Sequence, residues 1–138
     1  MRISIIVPTL NEERAIAATL GHLLGLSLEV VVSDGGSRDA TRSIANGFPV
    51  TWIEGEPGRG IQLNRGAQAA SGDVLLFVHA DTCLPDDAFG RIEEALEDGA
   101  VGGGFEVRFS SDRLVMRLGS RLASLRTRLT RIPLGDQD

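Results

Sequence analysis

LLFVHADTCLP, residues 75–85, starts as a stretch suited to burial and ends on a carboxylate. An unpaired carboxylate in a dry interior is too costly to keep, so Asp81 has to sit where a strand leaves the core and meets water, a helix end or a cation. The run VLLFV that leads into His79 is continuously apolar rather than alternating, the pattern of a parallel strand covered on both faces. Two other runs share that character, ISIIV (3–7) and EVVVS (29–33), and Val50 to Ile53 reads as a further strand before the loop EGEPG.

Helical segments lie between these runs. Asn11 is placed to cap a helix beginning EERAIAATLGHLL, in which Ile16, Leu20, Leu23 and Leu24 recur at helical spacing and the glutamates favour the N-terminal dipole. Ser37 or Asp39 starts a short helix, DATRSIAN, closed by Gly47. A third helix spans about Arg59 to Ala70, and Pro85-Asp86-Asp87 opens a fourth that runs through Glu97. This alternation predicts an α/β fold: an open, mainly parallel sheet flanked by helices. Beyond residue 99 the pattern changes. AVGGGFEVRF reads as a strand weakened by three glycines, and from Asp112 to about Arg131 the residues Leu114, Leu118, Leu122, Leu125 and Leu129 form one helical stripe with Arg113, Arg117 and Arg121 on another face. The expected layout is one domain over 1–138, with a nucleotide-binding half (1–98) and the start of an acceptor half (99–138). IPLGDQD closes no structural unit, so that half is expected to continue past the end of the chain.

Composition removes several classes of function. All fourteen basic residues are arginine and there is no lysine, which rules out a phosphate-binding P-loop and Schiff-base chemistry. The single cysteine, Cys83, has no Cys/His cluster around it and reads as a packing residue. Residues 1–110 hold sixteen acids and eight arginines, against three acids and six arginines in 111–138. An acidic body argues against nucleic acid as a partner. The arginine-bearing segment 112–131 either solvates its charged face or lies on an anionic membrane. With no membrane-length apolar run and no signal peptide, the expected location is cytoplasmic, with membrane association through that segment as the variant.

Open parallel sheets bind ligands outside the carboxyl ends of their strands. Three polar clusters converge there: Pro8-Thr9-Leu10-Asn11-Glu12, Asp34-Gly35-Gly36-Ser37 and His79-Ala80-Asp81. The first βα turn lacks G-x-G-x-x-G and carries a proline, which disfavours a dinucleotide oxidoreductase. Asp34 accepts hydrogen bonds either from a base or ribose, or from its own Asx turn. Asp81 is either a ligand for Mg²⁺ or Mn²⁺, with phosphate oxygens completing the shell, or a turn aspartate. His79 points to the same side as Asp81 if the strand persists, as a ligand or as a packed, hydrogen-bonded side chain.

The segments SIIVPTLNEE, VVSDGGSRDAT, PGRGIQLNRGAQAASGDVLLFVHADTCLP and GDQ, in this order and spacing, resemble the family 2 glycosyltransferases of the GT-A fold. They are most similar to a bacterial subgroup with PGR, HADT and GDQ signatures, sometimes labelled arsenosugar biosynthesis enzymes. The resemblance implies transfer of a sugar from a nucleoside diphosphate sugar, a UDP-sugar in the first instance, to an unknown acceptor, with inversion and with Mn²⁺ or Mg²⁺. It implies that Pro8, Thr9 and Glu12 line the nucleoside pocket and that Asp34 contacts the base. Asp81 takes the place of the last acid of the D-x-D metal signature, and His79 stands where its first acid would be. Arg59 is implied as a diphosphate contact, with Gln62 and Asn64 behind it, and Asp136 of GDQ as the general base. Two rival expectations are a nucleotide-binding module without turnover and a nucleotidyltransferase; the latter lacks its glycine-rich, lysine-bearing opening.

Overall fold

The computed structural model of the chain describes residues 1–25 and 29–105. Their elements are β1 (Ile3–Thr9), α1 (Ile16–Leu24), β2 (Glu29–Asp34), α2 (Thr41–Ala45), β3 (Thr51–Glu54), α3 (Arg59–Ala69), β4 (Val74–Phe77) and α4 (Ala88–Glu97). Two compact units divide the chain, Met1–Pro85 and Asp86–Asp138. The first holds a four-stranded sheet of order β3-β2-β1-β4, with every pairing parallel.

The core lies where the apolar runs are longest. Ile5, Ile6 and Val7 of β1 and Val30, Val31 and Val32 of β2 are all buried, together with Ile16, Leu20 and Leu23 of α1. Full burial on both faces holds for these two central strands only. Leu75 and Phe77 of β4 are 41% and 50% exposed, so among the described residues β4 behaves as an edge strand with one face covered. Its apolar run looks like those of β1 and β2 because hydropathy reports what a strand tolerates, while burial depends on its neighbours.

α3 packs against β1 and β2. The approach is close because position 66 is glycine: a Cβ there would lie 2.4 Å from Ile6 Cγ2. Cys83, expected to pack, is exposed. In the second unit α4 follows Asp87, whose carboxylate pairs with Arg91 one turn on at 2.7 Å. The strand expected over AVGGGFEVRF does not form across residues 100–105, and its remainder lies outside the described residues, as do the arginine-bearing segment 112–131 and Asp136. Among the described residues no helix is long and apolar enough to cross a membrane.

Gly66 therefore sets how deeply α3 seats on the sheet. Gly66→Ala is expected to destabilise the fold by about 1–3 kcal/mol through overpacking against Ile6, read as a lower urea midpoint with an unchanged slope.

Candidate functional site

Strand register creates the site. Thr9 pairs with Asp34 and Asp34 with Glu54, so the last residues of β1, β2 and β3 form one row at the carboxyl edge of the sheet. Asp34 is 1% exposed, and the loop after it is built to satisfy its charge. Oδ2 accepts the backbone N–H groups of Gly36 (2.8 Å) and Ser37 (2.7 Å), while Oδ1 accepts the hydroxyls of Thr9 (3.0 Å) and Ser37 (2.5 Å). A carboxylate has about four acceptor positions, and all four are used within the protein. Gly36 completes the turn at φ 89°, a conformation that suits glycine.

The first two βα loops are joined side by side. Ser37 Oγ accepts from Asn11 N (2.8 Å), Thr41 Oγ1 from Glu12 N (2.8 Å) and Asp39 Oδ2 from Glu13 N (3.1 Å). In the other direction Asn11 Oδ1 accepts from Arg38 N (2.9 Å) and Glu13 Oε2 from Ala40 N (3.0 Å). These bonds overturn the expected role of Asn11 as a helix cap. It sits at φ 57° and α1 begins only at Ile16, because the side chains of residues 11 and 13 find partners in the neighbouring loop instead of on their own helix. Asp39 does mark the start of α2, accepting from Thr41 N at 3.0 Å.

On the other side of β1 the sheet opens. The β1–β4 pairing ends at Ile6 and Phe77, with one more bond from Val78 N to Ile6 O (3.0 Å). In a parallel ladder alternate residues face alternate neighbours. Ile6 O is bonded on the β4 side and Thr9 O on the β2 side, by Gly35 N, so Pro8 faces the gap beyond β4. Proline has no N–H to leave unsatisfied there. The 78–85 segment is held by α1: Thr19 Oγ1 donates to Ala80 O (2.5 Å), and a ring nitrogen of His22 lies 3.2 Å from Leu84 O.

His79 and Asp81 are both exposed in this segment. The His79 ring is met by Arg59, whose Nη2 lies 3.4 Å from Nδ1, so that Nδ1 is the acceptor. Loss of solvation around the ring, then the Arg59 charge, hold the imidazole below its ordinary 6.5, against the pull of Asp81. Glu12 is raised above its ordinary 4.5, first by burial and then by the negative charges of Asp81 and Asp39. The end of β1 thus links both sides of the rim, with Thr9 bonded to Asp34 and Glu12 in the field of Asp81.

α3 supports the rim from below through residues that composition and spacing pass over. Arg65 donates to Asp34 O (2.6 Å), Ser33 Oγ (3.2 Å) and Glu56 O (3.3 Å), and Gly55 leaves it room, since a Cβ there would lie 2.2 Å from Nη1. Gln62 is 4% exposed and spends its amide on Thr9 O and Ser33 O, so it does not act as a diphosphate contact. Asn64 is exposed. The available signal was Gln62 four residues before Gly66, a polar side chain on the face that the glycine marks as closest to the sheet.

A cleft of about 810 Å³ opens over the row, lined by Leu10, Asn11, Gly35, Gly36, Arg38 and residues 54–57. Its volume lies in the range of small-molecule clefts. Among the described residues no group of three or more His, Cys, Asp or Glu side chains could cage a metal ion. Asp81, exposed and close enough to Glu12 to perturb it, fits the other way of holding a hard divalent cation, by one or two carboxylates with phosphate oxygens and water completing the shell.

Comparison with known proteins places this geometry. The model of the family "Glycosyl transferase family 2" matches residues 4–136. Glucosyl-3-phosphoglycerate synthase of Mycolicibacterium smegmatis is 37% identical over 100 residues, 63% of this chain and 33% of that protein. Dolichol-phosphate mannosyltransferase of Pyrococcus furiosus is 31% identical over 110 residues, 72% of this chain and 31% of that protein. The crystal structure of glucosyl-3-phosphoglycerate synthase from Mycobacterium tuberculosis with Mn²⁺, UDP-glucose and phosphoglyceric acid superposes with a TM-score of 0.56 at 32% identity, covering 71% of this chain and 40% of that one. The chain spans about a third of the length of the curated relatives it matches. With its parallel sheet, its carboxyl-edge cleft and a family match over nearly its whole length, the chain belongs to glycosyl transferase family 2.

Proposed function

We propose that the chain forms the donor-binding part of a glycosyltransferase that uses a UDP-sugar with Mn²⁺ or Mg²⁺ and transfers the sugar with inversion to an acceptor. The observation that carries this reading is the arrangement of the carboxyl edge: a cleft on the β1–β3 side and the Arg59–His79 contact beside Asp81 on the β4 side. A solved relative holding Mn²⁺ and UDP-glucose supports the choice of donor and ion. The Arg59–His79 contact also favours the subgroup with PGR and HADT signatures, since it joins the two motifs in space.

Each rim residue then has a task. The nucleoside occupies the cleft, and Asp34 shapes it through the Gly36–Ser37 turn, its own acceptor positions being filled. Pro8, Thr9 and Glu12 form the wall between cleft and crevice. Cleavage of the sugar–phosphate bond develops negative charge on the departing diphosphate, and Arg59 stabilises that charge more than it stabilises the intact donor. His79, held toward its neutral form by lost solvation and the Arg59 charge, accepts a hydrogen bond from Arg59 and adds no competing charge. A divalent ion, when bound at Asp81, supplies Lewis-acid stabilisation of the diphosphate. Asp136 is the proposed base for the acceptor hydroxyl.

Calorimetric titration with UDP, GDP and dTDP in Mn²⁺ tests the donor reading: UDP is expected to bind most tightly, and no heat with any of the three would refute it. Asp81→Ala is expected to remove the Mn²⁺-dependent part of UDP affinity, a loss on the order of tenfold, without lowering thermal stability. A gain in UDP affinity from Mn²⁺ as large in the variant as in the parent chain would return Asp81 to the role of a turn residue.

The imidazole of His79 makes a separate prediction in metal-free buffer. Because its folded value lies below 6.5, the unfolded chain takes up the proton first as pH falls, so stability is expected to drop from about pH 6.5 downward through the folded value. His79→Asn is expected to flatten that part of the profile, read as urea midpoints across a pH series. A profile identical to that of the parent chain would contradict the assignment.

A further inference from the structure

One side chain touches both ends of the candidate donor site. Gln62 is 4% exposed, and its amide makes three hydrogen bonds at this corner of the fold, two as donor and one as acceptor. Its two N–H groups go to Thr9 O at 2.8 Å and Ser33 O at 3.0 Å, the last turns of β1 and β2 before the nucleoside cleft. Its oxygen accepts from Gly58 N at 3.2 Å, while its own backbone N–H donates to Gly58 O at 2.9 Å. Gly58 stands at φ 133°, and the next residue is Arg59. The fit around the amide is close as well. A Cβ on Gly35 would lie 3.1 Å from the Gln62 carboxamide and 3.1 Å from Pro57 Cα, so the glycines of one loop and the turn of another are packed around the same group.

We propose that Gln62 is a positioning residue that couples the two ends of the donor site, fixing the turn from which Arg59 projects to the strand ends that frame the nucleoside cleft. The inference rests on the donor-site reading above. Its physical basis is that a buried amide with both donors and its oxygen engaged by three different segments is held in one placement. Gly58 is a residue of high intrinsic freedom, and Gln62 bonds it from both sides, which removes that freedom just before the guanidinium. Because the same amide holds Thr9 and Ser33, the 57–59 turn is placed relative to the ends of β1 and β2. Arg65 does not share this role. Its three bonds tie β2 to the loop after β3 and do not reach the Gly58 turn.

The consequence is that the benefit of Arg59 to diphosphate binding depends on Gln62. A double-mutant cycle on the whole chain reads this directly. UDP affinity in Mn²⁺ is measured by calorimetry for the parent, Gln62→Met, Arg59→Ala and the double variant, with uridine as the probe that lacks the diphosphate. Gln62→Met keeps the length of the side chain and removes its hydrogen bonds. Each single variant is expected to lose about tenfold in UDP affinity. The double variant is expected to lose little more than Arg59→Ala alone, because the residue that Gln62 positions is already gone. Gln62→Glu provides the second arm. It retains the acceptor for Gly58 N and loses both donors, and it is expected to behave as Gln62→Met does, since coupling needs both halves of the amide. The losses of Gln62→Met and Arg59→Ala multiplying in the double variant would overturn the proposal, as would failure of both Gln62 variants to fold, which would make the residue a structural one only. Failure of the parent chain to bind UDP is a different result: it removes the donor-site reading first and this inference with it.

Discussion

The carboxyl edge of the sheet depends on satisfying one buried charge. Asp34 ends a strand in which Val30, Val31, Val32 and Ser33 are all buried, and at 1% exposure its carboxylate has no water to rely on. The fold answers with two hydroxyls and two backbone N–H groups, and this requirement fixes much else. Thr9 must be level with Asp34, which sets the β1–β2 register at the rim. Gly36 must adopt a left-handed backbone so that its own N–H and that of Ser37 converge on Oδ2. Ser37, drawn in by Oδ1, becomes the acceptor for Asn11 N and so joins the second loop to the first. Removing any one donor leaves a buried charge short of a partner, which costs far more than the bond itself contributes in net terms.

A second constraint comes from the sign of the charge. The first 110 residues carry twice as many acids as arginines, yet the proposed ligand is an anion. Glu12 records the local consequence, since the charges of Asp81 and Asp39 already oppose its ionisation before any diphosphate arrives. A diphosphate entering that field needs compensating positive charge close at hand. Arg38 lines the cleft and Arg59 stands beside His79, and a divalent ion held at Asp81 would offset the field of the carboxylates. A lysine-free chain meets this need with arginines, whose fixed planar forks reward exact support from behind.

The elements differ in how far they could be read in advance, and the differences have physical causes. β1 and β2 are legible because a strand buried on both faces favours a continuous apolar run, and α3 is bounded to within a residue by the glycine before it and the turn after it. The start of α1 was misplaced by four residues. Asn11 and the glutamates after it carry the local signature of a helix N-terminus, and only the adjacent loop, distant in sequence, reveals that their side chains are engaged elsewhere. The rim itself was legible from strand ends alone, since parallel strands must deliver their carboxyl termini to one edge. Gln62 and Arg65 were not legible as supports. A polar residue on a helix reads as solvated unless its face is known, and that face is disclosed only by Gly66 and the contact it allows with Ile6.

Pro8 shows how the sheet is kept open where the ligand has to enter. Among the described residues β1 is central over its first four residues and becomes an edge at Pro8, because β4 stops pairing at Phe77. An ordinary residue at position 8 would present an N–H toward the gap, inviting the 78–81 segment to continue the ladder and close the crevice. Proline removes that donor, and α1 supplies alternative bonds that hold the departing segment through Ala80 O and Leu84 O. His79 and Asp81 therefore leave the ladder beyond Phe77, and the His79 ring meets Arg59 instead of a neighbouring strand. The apolar run that opened the sequence ends on a carboxylate because, at that point, the chain has left the sheet.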